Sequence, residues 1–455
     1  VPRLYKELAD WKAATPNDSA PHGPWWEVFR DPLLSHLEQQ VNVSNQNIAA
    51  SFASYLAAKA LVKEARSQYF PTLTAAPSTE LAQQPTFPGA APSKYFNYSV
   101  PVDASWAPDL WGRVRNAVQQ NVASAQVSAA DLENTRLTEQ ADLAITYYEL
   151  RGQDSMMELF DATVKSYRTS LELTQSLYKT GIDSQESVVQ AETNLRTAEA
   201  QATGLAIARA QYEHAIAMLI GLPPGDFSIP KKPLEGDPPV IPVDIPSRLL
   251  ERRPDIAAAE RSMAAANAQI GVGIAAYYPA LTLTGSAGFG FAGLTSLPAL
   301  IWSLGASLSQ FIYDGGLRGA TVEQYKASYL QAVANYRQTV LTAFEQVEDA
   351  LATLRISAKE LQQQEVAVKA SAAYVRIATD RYQTGVDPYL NVQVAQISLL
   401  TNEQTAVTLR MQLMTGSVQL VEALGGGWDA TKLPGFKEVD SKTPKDQLEP
   451  DSARQ

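Results

Sequence analysis

The chain has 455 residues, 45% hydrophobic and 19% charged, so it has apolar content for a sizeable folded structure and is not a disordered or highly charged tail. A formal net charge of -11 supplies no basic face for a polyanion and argues against a nucleic-acid partner. With no cysteine it can build neither a disulfide framework nor a thiolate metal site, and its three histidines (His22, His36, His214) stand singly, so no metal or cofactor is expected. At Val1 there is no basic and apolar leader, which means that any targeting peptide has been removed. No run of about 18 apolar residues occurs, so a membrane role could only be that of a barrel or a surface anchor.

Along the chain, the first clear pattern runs from Asn47 to Pro71 and ends in two aromatics and a proline. Asp255 to Pro279 matches it without a gap and ends the same way. Later, Leu177 to Leu195 matches Arg381 to Leu399, sharing Tyr-x-Thr-Gly-x-Asp, and the chain therefore reads as two copies of one unit.

After each aromatic-proline stop the period changes to two. In the first copy Tyr98, Val100, Val102, Ala104 and Trp106 alternate with Ser99, Pro101, Asp103 and Ser105. A less regular partner precedes them near Thr72 to Leu81, and Pro77 and Pro101 weaken both strands. In the second copy Leu281, Leu283, Ala287, Phe289 and Phe291 alternate with small polar residues. After a turn-like stretch around Gly293 to Pro298, Trp302, Leu304, Ala306 and Leu308 do the same.

Heptads follow each strand pair. Leu143, Leu150, Met157, Val164, Leu171 and Tyr178 correspond to Val347, Leu354, Leu361, Val368, Val375 and Tyr382. Spacing of seven over this many intervals is a coiled-coil seam, and a helix from Gly112 to Tyr178 would run to about 100 Å. Gly181 and Gly385 then mark tight reversals, because the pattern resumes at Val188, Leu195 and Ala202, and at Val392, Leu399, Ala406, Leu413 and Leu420. Each copy makes a helical hairpin.

Alternation alone also fits a soluble sandwich, but strands of about ten residues with one apolar face and aromatics near their ends fit membrane barrels. Single-chain barrels use about eight strands or more, so four strands must be completed by other copies of the chain. The lipid-facing candidates are Leu281, Leu283, Phe289, Trp302 and Leu304.

The segments Pro24 to Leu34, Trp106 to Arg115 (WAPDLWGRVR), Leu249 to Glu260, Arg381 to Leu390 and Ala423 to Trp428 (ALGGGW) together resemble those of the outer membrane factors, the TolC-like and OprM-like ducts, most nearly the lipoprotein branch serving resistance-nodulation-division pumps. The resemblance implies a mixed fold of membrane β-structure and long α-helices. A homotrimer would form a twelve-stranded barrel, four strands per protomer, continued by a helical coiled-coil barrel. Residues 71-111 and 279-315 would form the barrel hairpins, and 37-70, 112-220, 247-278 and 316-424 the periplasmic helices. Residues 1-36, 221-246 and 425-455 would supply the equatorial segments and tail. Implied as partners are a periplasmic adaptor, an inner-membrane pump and outer-membrane lipid, with no enzymatic chemistry. An N-terminal lipidated cysteine would precede Val1 if the lipoprotein branch applies.

The resemblance also implies a gate at the hairpin tips, with candidates Tyr178, Gly181, Asp183, Tyr382, Gly385, Asp387, Asn391 and Val394. Asn391 and Val394 occupy positions that are often acidic in the family, so the acidic constriction is not reproduced there. Tyr382 matches an aromatic that helps hold the closed tip in some members, and is expected to pack against the adjacent hairpin. Asp183 and Asp387 could charge the tip or simply cap its turns. Two alternatives stay open at this level: a soluble periplasmic coiled-coil tether or binding module, or a duct serving type I secretion or metal efflux.

Overall fold

A computed structural model of the chain describes residues 24-84, 93-239, 241, 252-291, 297, 299-435 and 438-439. His22, most of the expected turn around Gly293 to Pro298, and large parts of the two terminal segments and of the end of the inter-repeat stretch lie outside them. In the first copy α1 (Pro32–Ser44) and α2 (Gln46–Ser67) precede β1 (Thr72–Ala75), β2 (Ser78–Gln84) and β3 (Ser93–Trp106). Then come α3 (Arg113–Lys179) and α4 (Gln185–Leu219). The second copy repeats the plan as α5 (Pro254–Ala275), β4 (Ala280–Phe291), β5 (Ala299–Ser309), α6 (Leu317–Gln383) and α7 (Tyr389–Ala423). The duplication extends to length: α3 and α6 each have 67 residues, α4 and α7 each 35. None of the described helices is long and apolar enough to cross a membrane.

The chain divides into two compact units, one of Val1–Phe52, Ala130–Ala257 and Thr339–Lys432, the other of Ala53–Ala129, Ala258–Gln338 and Leu433–Gln455. The second unit holds all the described strands, in one antiparallel sheet of order β1-β3-β4-β5, with β2 also on β3. β1 and β2 share a single register against β3, Thr72 opposite Ser105 and Ser78 opposite Ser99. They form one line of strand interrupted at Ala76 and Pro77, because proline has no N–H for the ladder. Five strand segments therefore make four lines. Pro101 of β3 lies opposite Gly288 of β4. A Cβ at Gly288 would stand 2.4 Å from the Val100 carbonyl oxygen, so glycine is what lets the two strands approach. Among the described residues the β1/β2 line and β5 each keep one edge unpaired.

Each long helix starts at a corner built on an aspartate. Asp109 accepts the N–H groups of Val114 (3.0 Å) and Arg115 (2.9 Å), and Asp314 those of Gly316 (3.1 Å) and Arg318 (3.3 Å). These are N–H groups that an α-helix leaves unpaired at its first turn. In the same unit α2 packs on the start of α3 through Val62, Ala65, Val114, Val118 and Val122.

In the first unit, α1 is capped by Asp31, whose Oδ1 accepts from Leu33 N–H (2.9 Å) while Oδ2 accepts the Tyr147 hydroxyl (2.6 Å). The heptad seam is graded. Leu143, Leu150, Val347 and Leu354 are buried, whereas Met157, Val164, Leu361 and Val368 are half-buried and Tyr178 is exposed. Off the seam, Asp154, with a side chain only 2% exposed, accepts from Arg209 Nε (2.7 Å), Arg151 (3.3 Å) and the Lys232 N–H (3.0 Å). Arg209 also reaches the Ile229 carbonyl (2.7 Å) and Arg151 the Pro230 carbonyl (2.8 Å). The inter-repeat segment is thus fastened to α3 and α4 by a buried charge cluster.

Each of these buried charges has an opposite charge, which offsets desolvation; deleting Asp154 strands the buried Arg151 guanidinium, while Arg209 keeps only Glu213 at 3.0 Å. Asp154→Ala is expected to destabilise the first unit by about 3–5 kcal/mol. Denaturant unfolding followed by circular dichroism checks this, and a loss below about 1 kcal/mol would mean that water replaces the carboxylate.

Candidate functional site

The two hairpin turns are alike in backbone. Gly181 (φ 77) and Gly385 (φ 70) adopt the left-handed conformation that ends a helix at little cost only for glycine. The Gly181 N–H bonds the Tyr178 carbonyl and the Ile182 N–H the Leu177 carbonyl, both at 3.0 Å; Gly385 to Tyr382 (3.0 Å) and Val386 to Arg381 (2.9 Å) repeat the pattern. This pair of bonds is the Schellman closure. Beyond it the copies diverge. Ser184 caps α4 by accepting the Ser187 N–H, while Pro388 occupies the same place before α7 and makes no side-chain cap.

The side chains diverge further. Tyr178 is 46% exposed, whereas its counterpart Tyr382 is 4% exposed. Tyr382 packs among Ala191, Ala378, Tyr389, Val392 and Ala395, with Leu171, Leu177 and Val375 around them. Its ring meets Tyr389 edge-on at 5.5 Å. Its hydroxyl donates to Asp183, so the aromatic of the second hairpin is bonded to the turn of the first hairpin of the same chain. Asp183 also accepts from Ser184 N–H (2.7 Å) and Ser187 Oγ (2.8 Å). It is therefore both turn cap and inter-hairpin tie. Gln393 to Asn194 (3.2 Å) and the buried Gln396 to Ser170 (2.7 Å) continue the link between hairpins.

Asp387 has a different partner. Arg381 binds it through two nitrogens, at 2.6 and 3.1 Å. The equivalent of Arg381 in the first copy is Leu177, so only the second turn carries this ion pair. Sequence alone does not mark Arg381, because only the closed turn brings it to Asp387; the same holds for Tyr389 and Ser187, which meet Tyr382 and Asp183 only in the fold. Asn391 is half-buried, with its N–H on the Pro388 carbonyl (3.1 Å), and Val394 is 50% exposed. Ile182, Val386 and Leu390 are exposed apolar residues at the tips, among the exposed polar Lys179, Gln185, Glu186 and Gln383.

Titration follows this geometry. Burial pushes the Asp183 carboxyl up, but the bonds from Tyr382, Ser184 and Ser187 outweigh it and hold the group below the usual carboxylate range. Burial, and then the bond to Asp183, push the Tyr382 phenol up. The Arg381 hydrogen bonds hold Asp387 low and Arg381 high.

In the sheet, residues directly opposite share a face. Leu281 lies opposite Leu308, Leu283 opposite Ala306, Gly285 opposite Leu304, Ala287 opposite Trp302 and Phe289 opposite Leu300. Val100, Val102, Ala104 and Trp106 join the same face through β3. The other face carries Thr282, Thr284, Ser286, Ser303, Gly305 and Ser307, with Ile301 the exception. Leu304 is 82% and Trp302 68% exposed.

A depressed carboxyl contributes its stabilisation fully above the unfolded-state value and loses it as pH falls through the lower folded value. The Tyr382 to Asp183 tie should therefore be intact from pH 7 to 5 and fail only below about pH 3.9. Cross-linking between cysteines introduced at Ile182 and Val386, followed across pH, checks the window; loss of proximity already near pH 5 would contradict it.

The profile of the family described as "Outer membrane efflux protein" matches residues 37–222 and 245–426. The probable efflux pump outer membrane protein TtgC of Pseudomonas putida is 30% identical over 433 residues, covering 92% of this chain and 88% of the relative. The solvent efflux pump outer membrane protein SrpC of the same species is 31% identical over 417 residues, covering 89% and 88%. Among solved structures, the outer-membrane channel OprN shares 30% identity with a TM-score of 0.83, over 89% of this chain and 92% of that one. VceC of Vibrio cholerae shares 25% with a TM-score of 0.81, over 88% and 98%.

Proposed function

The chain belongs to the outer membrane efflux protein family, and on that premise we propose a homotrimeric, passive duct gated at its hairpin tips. The protein is an outer-membrane efflux channel of a tripartite system and extends into the periplasm. The observation that carries the trimer is the sheet: four lines of strand, one apolar face, one small polar face and two unpaired edges. Hydrocarbon offers no partner for edge N–H and C=O groups, so the edges must meet those of other protomers. Three copies supply twelve strands. A periplasmic adaptor and an inner-membrane pump of the resistance-nodulation-division class would deliver the cargo, which we assign to small molecules of the kind named for the relatives, solvents and antibiotics. A soluble tether would have no use for so large an exposed apolar sheet face.

Light scattering on detergent-purified protein should give a trimer, and a monodisperse monomer would refute the barrel. Leu304→Arg places a cation on the proposed lipid face at a cost of about 2–4 kcal/mol near mid-depth and should block membrane assembly. Ser303→Arg points to the opposite face and should be tolerated. Equal damage from both would show that the faces are misassigned.

We assign Tyr382 and Asp183 to the gate. Their bond ties the second hairpin to the turn of the first, and opening the tip requires the hairpins to part. Tyr382→Phe removes only a hydrogen bond to a charged acceptor, worth about 1.5–3 kcal/mol, and so should shift the closed-to-open ratio roughly tenfold or more. Single-channel conductance in planar bilayers should rise, and rise further in Tyr382→Ala. Unchanged conductance in trimeric protein would leave Tyr382 a packing residue.

A further inference from the structure

At the helix-bearing end of the sheet, aromatic side chains crowd the places where the backbone enters and leaves the strands. Tyr69, Phe70, Trp106, Trp111, Tyr277 and Tyr278 are all exposed. The Trp106 indole N–H donates to the Tyr69 carbonyl (3.0 Å) and that of Trp111 to the Pro279 carbonyl (2.8 Å). Trp111 stacks on Tyr278, centroids 4.8 Å apart and planes at 16°. Rings with satisfied polar ends and free apolar faces suit the level where hydrocarbon gives way to headgroups.

Immediately beyond, α3 opens with Arg113, Val114 and Arg115. Val114 is buried at 1% exposure, and both arginines are exposed. In a chain of formal charge -11, carboxylate partners are plentiful, yet neither guanidinium has one among the described residues. The nearest carboxylate in sequence, Asp109, faces the backbone N–H groups of Val114 and Arg115. Arg113 makes a single bond, at 3.3 Å, to the side-chain carbonyl of Gln68. The second copy differs: Arg318 is held by Asp314 at 2.5 Å and lies over the rings of Tyr277 and Phe311. One corner closes its charge internally, and the other leaves two cations without a carboxylate among the described residues, just after Trp111 in the chain.

We propose that Arg113 and Arg115, which lie on either side of the buried Val114 and follow Trp111 of the Trp111–Tyr278 stack in the chain, each bind the phosphate of an anionic glycerophospholipid in the periplasmic leaflet. The proposal rests on the outer-membrane placement of the sheet, since the apolar face of β3 ends at Trp106 and puts the next residues of the chain at headgroup depth. A guanidinium matches phosphate oxygens with paired N–H donors, and the stack supplies a flat apolar wall for the glycerol and upper acyl chain. The WGRVR motif thus gains a role beyond starting the helix.

The test is native mass spectrometry of the purified oligomer in neutral detergent, titrated with phosphatidylglycerol. Wild-type protein should retain the lipid. Each arginine near an anionic lipid contributes roughly fivefold in affinity, so R113Q/R115Q should bind on the order of tenfold or more weakly. R113K/R115K, which keeps the charge, should lose only a few-fold, and the single variants R113Q and R115Q, about fivefold each, keep the measurement decisive if the double variant does not assemble. Equal lipid retention in wild type and the glutamine variants would overturn the proposal. So would displacement of the lipid by inorganic phosphate alone, which would point to a free-anion site. A wild-type chain that is not oligomeric in the same spectra would count against the barrel reading itself, whereas an intact oligomer with unchanged lipid binding counts against the lipid site only.

Discussion

Hydrocarbon cannot satisfy a backbone N–H or C=O, and most of what is distinctive in this chain follows from that constraint. A sheet of four lines has two edges, and neither the hairpins nor the helices of the described protomer cover them. Soluble proteins blunt such edges with charge or bulges. Here β5 instead presents Leu300, Trp302, Leu304 and Leu308 in an exposed row, the composition that the proposed lipid-facing surface requires. The small residues of the opposite face, with Gly288 admitting Pro101, keep the strands close where bulk would separate them.

The duplication supplies two hairpins with one backbone closure and two kinds of side-chain lock. In the first turn Asp183 reaches across to Tyr382; in the second Asp387 stays local with Arg381. An exposed ion pair contributes little and is screened by salt, whereas a tie made through a buried ring also carries packing. The second lock can shape its own turn, and the first couples one hairpin to the other. The copies have diverged at Leu177 against Arg381, which confines the ion pair to the second turn, and at Ser184 against Pro388, which confines the side-chain cap to the first.

Between the copies the described stretch from Gly221 to Pro239 carries one short 3-10 turn, Pro224–Asp226, and the buried cluster around Asp154 fixes the residues that follow it. Carbonyls of Ile229 and Pro230 and the N–H of Lys232 would go unpaired against helix surfaces that have already used their own backbone bonds. Arg151, Arg209 and Asp154 supply the missing donors and acceptor from side chains. Neither the sheet nor the tips need this cluster, but the inter-repeat segment does.

Periodicity is written in the order of residues, so the tandem copies, the long helices from near Gly112 and their reversal at Gly181 and Gly385 are legible in the sequence. The alternating strands are legible too, because a period of seven, a left-handed glycine and a period of two are local properties of the chain. In sequence the first strand is irregular at Pro77, where register with β3 shows one interrupted line. What the candidate side chains touch depends on packing between segments distant in the chain. Tyr178 and Tyr382 occupy equivalent heptad positions, yet one is exposed and the other buried, because burial depends on which helix arrives alongside. Asp183 and Asp387 look alike in sequence, and their partners come from a residue in the other copy and from across a closed turn. The Asp154 cluster was likewise invisible, since its members meet only when segments distant in sequence pack together and bury charges that would otherwise stay in water.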